Sequence, residues 1–330
     1  MVNAGGSESP GKTGAAALRI VFCGTPQFAV PALQYLHSLP EFEIAAVITQ
    51  PDRPRGRGQE ISFSPVKDAA LAAGIPVYQP EKIRAAEARE FLQKIAPDAV
   101  VIIAYGQIIP EELLRIPRLG WINLHASLLP KYRGAAPINR SILNGDSRTG
   151  LTTMRIDAGM DTGEMLLQQE LEIGAEETAP ELAARMAEAG KTLMAETLRG
   201  LREGRITPRP QDAGAATNAP LLRREEGRIR WEMTAREIFN RMRSLAPWPG
   251  AFTTFRGQIC HVWGTPLSEP AAPAGEVPGR ILGSGAELRI VCGGGTLLQL
   301  AGVKLEGRKR ISPHEFASGM RLSGSERFGE

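Results

Sequence analysis

Long apolar stretches, paired cysteines and a dinucleotide fingerprint are all missing from this 330-residue chain. No run of 18 apolar residues occurs, so the sequence offers no conventional membrane-spanning helix. The opening residues, MVNAGGSESPGKTGAAA, are small and polar and give a secretory signal no hydrophobic core. Three cysteines, Cys23, Cys260 and Cys292, lie far apart, with no C-x-x-C pair and no histidine at metal-ligand spacing. They are expected to be buried thiols in a reducing cytoplasm, with no metal site. No segment reads G-x-G-x-x-G, so nothing points to a dinucleotide.

One phosphate-binding pattern is present, and its surroundings disqualify it. Gly6–Thr13, GSESPGKT, satisfies G-x-x-x-x-G-K-[ST] letter for letter. Such a loop works only between a buried strand and a helix whose N-terminus meets the phosphates. Met-Val-Asn-Ala-Gly cannot form that strand, and Gly-Ala-Ala-Ala leads straight into the first apolar run at Leu18. Residues 1–17 therefore read as a flexible tail.

At 42% hydrophobic and 23% charged residues, the composition is that of an ordinary globular protein, with chain enough for two domains. The net charge of +3 hides an asymmetry. From Ile206 onward there are 17 Lys/Arg against 12 Asp/Glu, while residues 1–205 hold 22 against 24. A mildly basic second half permits a polyanionic partner without requiring one.

Near-continuous apolar runs at Leu18–Cys23, Glu43–Thr49, Asp98–Ala104 and Trp121–His125 predict strands buried on both faces. Helical patterns over Gln27–Ser38, Pro65–Ala73 and Pro137–Leu143 alternate with them, and a long one covers Glu177–Arg202. This alternation predicts an α/β domain over 18–202, built on a doubly wound, Rossmann-like parallel sheet. Glu203–Thr217 loses periodicity and gathers Pro and Gly, a linker composition. From 218 to 330 one helix, Thr234–Ser244, precedes short strand-like runs at Phe252–Phe255, Ile259–Trp263, Leu288–Val291 and Thr296–Leu300. Their spacing predicts a smaller, OB-like β-barrel domain.

Ligands of open α/β sheets bind beyond the carboxyl ends of the strands. The richest such segment is Ile122–Ile138, INLHASLLPKYRGAAPI. Asn123 and His125 stand two apart at a strand end and so project to one side. One is an amide that never ionises; the other titrates nearest neutrality. Downstream, MRIDAGMDTGEM places Asp157 and Asp161 in a glycine-rich context, where a carboxylate could support an imidazole. Taken alone, such a histidine is more often structural, and such an aspartate more often forms a turn.

Asn123-x-His125, SLLP (Ser127–Pro130), YRGAAP (Tyr132–Pro137) and DxGxDTG (Asp157–Gly163) together resemble the 10-formyltetrahydrofolate-dependent formyltransferase family. The likeness runs on through VFCGTPQFA, QPDRPRGRG, SPVK, AYGQIIP and APWPGAF, covering the chain from Leu18. It implies formyl transfer from 10-formyltetrahydrofolate to the methionine amine of charged initiator tRNA. Asn123, His125 and Asp161 match the family's catalytic trio. Ser127, Leu128, Leu129 and Pro130 match its folate-contacting segment, and Tyr105–Gly106 matches the wall that holds the pterin. Arg53 and Arg57 of Gln50–Gly58 fall in the loop that reaches the tRNA acceptor end, and Lys304 and Arg308 of KLEGRKR form a candidate phosphate-contacting strip. A cytoplasmic monomer with no membrane partner is expected. Two positions depart from the family pattern: Leu221 stands where many relatives carry lysine, and Arg230 where an acidic residue is usual. Trp248, within APWPG, is expected to be a core or domain-interface aromatic.

Overall fold

The computed structural model describes residues 16–55, 60–269 and 271–330, which form two compact units divided after Trp121. Gly6–Thr13 and Arg57 lie outside the described residues.

The first unit is built on parallel strands. In chain order it comprises β1 (Leu18–Gly24), α1 (Val30–Ser38), β2 (Phe42–Ile48), β3 (Arg53–Arg55), β4 (Glu60–Ser62), α2 (Pro65–Ala72), β5 (Val77–Tyr78), α3 (Ala86–Ile95), β6 (Ala99–Ile103) and α4 (Glu111–Leu114). β1 pairs in parallel with β2 on one side and β6 on the other, and β2 pairs in parallel with β5. All five residues of β6 are buried, as are six of the seven in β1, which is why both read as unbroken apolar runs. Helices α1 and α2 close over this core through Leu33, Leu36, Val66 and Ala70.

The second unit continues with β7 (Trp121–His125), α5 (Pro137–Leu143), β8 (Arg148–Arg155), β9 (Met165–Glu172) and α6 (Ala179–Arg202). Here the direction changes: β8 runs antiparallel to both β7 and β9. The N-terminal fold is thus a mixed sheet with helices, parallel through its first strands. α6 begins at a capping box in which Glu181 accepts from both the Thr178 amide and hydroxyl, at 2.8 and 2.7 Å. It packs along β8 and β9.

Then come α7 (Ala235–Ser244), β10 (Phe252–Phe255), β11 (Gln258–Pro266), β12 (Ile281–Leu282), β13 (Arg289–Val291), β14 (Leu297–Leu305) and α8 (Pro313–Met320). The strands form one curled antiparallel half-barrel in the order β10-β11-β14-β13-β12. Its interior is aromatic: Phe255 meets Phe316 edge-on at 4.9 Å between ring centroids, and Phe328 stacks on Trp231 at 5.6 Å. α7 packs against β11 on one side and α5 on the other. Arg140 on α5 forms a two-point ion pair with Glu226 and donates to the Pro220 carbonyl at 3.1 Å. Asn139 donates to the Ser244 carbonyl at 2.6 Å.

All three cysteines are buried, and burial pushes Cys260 and Cys292 up to about 12, so neither is a thiolate at neutral pH. Trp248, expected to be a core or domain-interface aromatic, is 57% exposed between Pro247 and Pro249, so it is no part of a core. Among the described residues no helix is long and apolar enough to cross a membrane.

Candidate active site

The site in the second unit starts from β7. Alternation along this strand puts Asn123 and His125 on one side, and antiparallel pairing sets them opposite Met154 and Thr152 of β8. Thr152 has no exposed surface and organises the turn that follows. Its hydroxyl donates to the Ser127 carbonyl at 2.7 Å and accepts from the Leu129 amide at 3.1 Å. Gln168 on β9 donates to the Leu129 carbonyl at 2.9 Å. The Ser127 hydroxyl turns inward to the Lys131 carbonyl at 2.6 Å. Leu129 is buried, Leu128 and Pro130 are half-buried, and the Leu129–Pro130 peptide is cis. The hydroxyl and three backbone groups of the SLLP segment are thus tied to Lys131, Thr152 and Gln168.

His125 is 5% exposed and held from two directions. Its Nε2 lies 2.9 Å from the Tyr132 carbonyl oxygen. Because a carbonyl only accepts, Nε2 carries a proton and Nδ1 is the nitrogen left to exchange one. Nδ1 faces Asp161 Oδ2 at 3.6 Å, beyond direct hydrogen bonding but within strong Coulombic reach in a buried site. The same Asp161 oxygen accepts from the Gly134 amide at 2.8 Å. Among the described residues the Asn123 carboxamide makes no hydrogen bond, which leaves its donors for a ligand.

Two residues of this cluster hold the left-handed backbone conformation that side chains rarely adopt: Tyr132 (φ 62°) and Asp161 (φ 53°). Strain of this kind persists only where neighbouring contacts over-determine it. For Tyr132 they include the amide, bonded to the Thr217 hydroxyl at 2.8 Å, and the phenol, which donates to Asp146 at 2.7 Å. Burial first, and Asp146 second, push that phenol up to about 12, so it remains a donor at neutral pH. Asp157, the other aspartate of the glycine-rich segment, accepts from the Gly159 amide at 3.0 Å and the Thr162 hydroxyl at 2.7 Å. It folds the loop; Asp161 is the one brought to the histidine.

The first unit places Tyr105–Gly106 just after β6. The Tyr105 ring is buried and, among the described residues, its hydroxyl has no hydrogen-bond partner. Its carbonyl is the group presented to the loops, accepting from Gln50 Nε2 at 2.9 Å and the Thr25 hydroxyl at 3.3 Å. Gln107 adds bonds to the Gln50 amide oxygen at 3.3 Å and the Ile83 amide at 2.7 Å. Thr25, Gln50 and Gln107 thus lace together the loops after β1, β2 and β6, a role no sequence pattern announced. Asp52, within Gln50–Gly58, is held below the usual carboxylate range by Lys67 first and Gln79 second. Arg53 is exposed at the start of β3.

In the half-barrel, Lys304 is exposed at the end of β14 and Arg308 in the turn beyond it. Leu221 is 71% exposed and Arg230 is exposed, so both departures lie at the surface. Among the described residues no group of three or more His, Cys, Asp or Glu could hold a metal ion.

The profile of the Formyl transferase family matches residues 18–198, and that of Formyl transferase, C-terminal domain matches residues 221–321. The chain is 54% identical over 314 residues to a protein of Solibacter usitatus named methionyl-tRNA formyltransferase, covering 95% of this chain and 99% of that one. It is 49% identical over 313 residues to the protein of the same name from Acidobacterium capsulatum, covering 94% and 100%. Among solved structures, the sugar 3N-formyl transferase WlaRD, crystallised with dTDP and 5-N-formyl-THF, resembles it in fold. That likeness has a TM-score of 0.63 and 20% identity, over 89% of this chain and 100% of that one.

Proposed function

The chain belongs to the methionyl-tRNA formyltransferase family, and from that premise we propose that it moves the formyl group of 10-formyltetrahydrofolate onto the α-amine of methionine carried by initiator tRNA. The observation that carries the chemistry is the placement of His125 between the Tyr132 carbonyl and the Asp161 carboxylate, two residues along one strand from Asn123.

The substrate's amine is the nucleophile, so the protein need activate no serine or cysteine. As the amine attacks the formyl carbon, the carbonyl oxygen becomes a tetrahedral oxyanion. The Asn123 amide and protonated His125 stabilise it. The new carbon–nitrogen bond forms, the bond to the folate nitrogen breaks, and the proton released by the amine ends on that departing nitrogen. His125 Nδ1, beside the Asp161 charge, is the group that carries a proton in this exchange. Ser127–Pro130 are the residues of the second unit assigned to the formyl donor. Arg53, Arg57, Lys304 and Arg308 meet the tRNA. In this reading 18–202 is the catalytic domain, 203–217 the linker and 218–330 the tRNA-binding domain of a cytoplasmic monomer.

Single-turnover formylation of Met-tRNA by folded His125→Ala tests the assignment. A loss of at least about 10²-fold is expected for a general acid–base. Activity within a few-fold of the parent would overturn it.

A further inference from the structure

Residues 203–217 carry the composition of a linker, yet Arg209, Gln211 and Thr217 are bonded to β9 and to the segments around Tyr132 and Asp161. Arg209 pairs with Met165 through both backbone groups, at 2.8 and 2.9 Å. Thr217 accepts from the Arg133 amide through its carbonyl at 2.8 Å and from the Tyr132 amide through its hydroxyl at 2.8 Å. Ala219 exchanges backbone bonds with Arg133 and Ala136. At the centre sits Gln211, half-buried, with every polar atom of its side chain in use. Its Nε2 donates to the Asp161 and Gly163 carbonyls, both at 2.8 Å. Its Oε1 accepts from Arg133 Nε at 3.0 Å and Nη2 at 2.8 Å.

We propose that Gln211 is a positioning residue for formyl transfer, acting through Asp161. One amide group fixes both carbonyls flanking Thr162, which locks the turn that holds Asp161 in its left-handed conformation. The other end of the same amide fixes Arg133, whose neighbour Gly134 supplies the amide bonded to Asp161 Oδ2. Gln211 therefore ties down both sides of the contact that aims the carboxylate at His125 Nδ1. A displacement of even 1 Å at a reacting centre costs about 10²-fold in rate. Only a side chain with two donors and an acceptor does all of this, which distinguishes Gln211 from a residue that merely fills space.

The proposal rests on Asp161 being the carboxylate that serves His125. Gln211→Glu is the discriminating variant: it keeps the shape and the acceptor for Arg133 but has no donor for the two carbonyls. Gln211→Met, isosteric and neutral, guards against a folding defect specific to the new charge. Each is made in the parent and in Asp161→Asn, and formylation of Met-tRNA is measured at saturating substrates alongside thermal unfolding. The expected result in the parent is a kcat lower by roughly tenfold to a hundredfold, with the KM for 10-formyltetrahydrofolate within about threefold. In Asp161→Asn the same substitutions should change kcat less than about twofold, since coupled residues are not additive. An equal loss in both backgrounds, or a parent kcat that does not fall, overturns the proposal. An Asp161→Asn enzyme as fast as the parent overturns the assignment of Asp161 itself and the proposal with it.

Discussion

His125 Nδ1 lies 3.6 Å from Asp161 Oδ2, while the Gly134 amide holds that same oxygen at 2.8 Å. The carboxylate is thus anchored by the backbone and faces the imidazole as a charge, not as a hydrogen-bond acceptor at contact distance. Replacing Asp161 with Asn keeps the acceptor for Gly134 and removes the charge. Single-turnover formylation by Asp161→Asn should fall on the order of 10²-fold with unfolding temperature little changed. A rate near the parent's would show that the charge plays no part.

Gly134 has φ +120°, and a Cβ there would stand 2.7 Å from the Ala219 carbonyl oxygen. Alanine would both strain the backbone and push back the segment that pairs with Arg133. Gly134→Ala should destabilise the protein by about 1–3 kcal/mol in urea titration and slow catalysis as well. Unchanged stability would mean that the segment yields at no cost.

Glu226 is held below its ordinary value of 4.5, first by its hydrogen bond with Arg140, against the opposing effect of burial. A carboxylate whose folded value is depressed contributes stability that is fully present above its unfolded value. That contribution is lost as pH falls through the folded value. Glu226→Gln should therefore be less stable than the parent at pH 7, and the gap should narrow as pH falls below 4.5 through the folded value. Melting curves taken from pH 7 down into acid decide it; a gap that does not narrow would refute the linkage.

Lys304 and Arg308 are exposed at the end of β14 and in the turn after it. If both meet phosphates, replacing them with alanine should flatten the dependence of log affinity for tRNA on log salt by about 1 to 2. An unchanged slope would place the tRNA elsewhere.

Strands and helices whose stability comes from apolar burial were legible in the sequence. Trp121–His125 and Pro137–Leu143 have the boundaries that their patterns predict. β8 was not legible, because Thr152 and Thr153 occupy fully buried positions and are satisfied by hydrogen bonds, which breaks the apolar signal; β9 was not, because beyond its first two residues it is half-buried or exposed and mostly polar. α8 is short and weakly periodic, yet Ser312 and Glu315 form a capping box at its start, a cue already present in the sequence. Asn123 and His125 could be placed on one side of a strand from spacing alone. Selecting Asp161 over Asp157 needed the resemblance, since both lie in the same glycine-rich run. Gln211 was invisible: its partners are backbone carbonyls 48 and 50 residues away, and contacts of that kind leave no periodicity. The core alternative for Trp248 fails on its exposure: a large aromatic is not obliged to be inside.

The bonds from Arg209 to Ala219 bear on how this protein could be cut and recombined. A polypeptide ending with α6 would keep Asn123, His125 and Asp161 but lose the residues that brace Tyr132, Arg133 and Asp161. The two halves are therefore not interchangeable at the point where their composition changes. A chimaera carrying a foreign C-terminal half would have to join beyond Ala219, so that the donor of the catalytic residues also brings their brace.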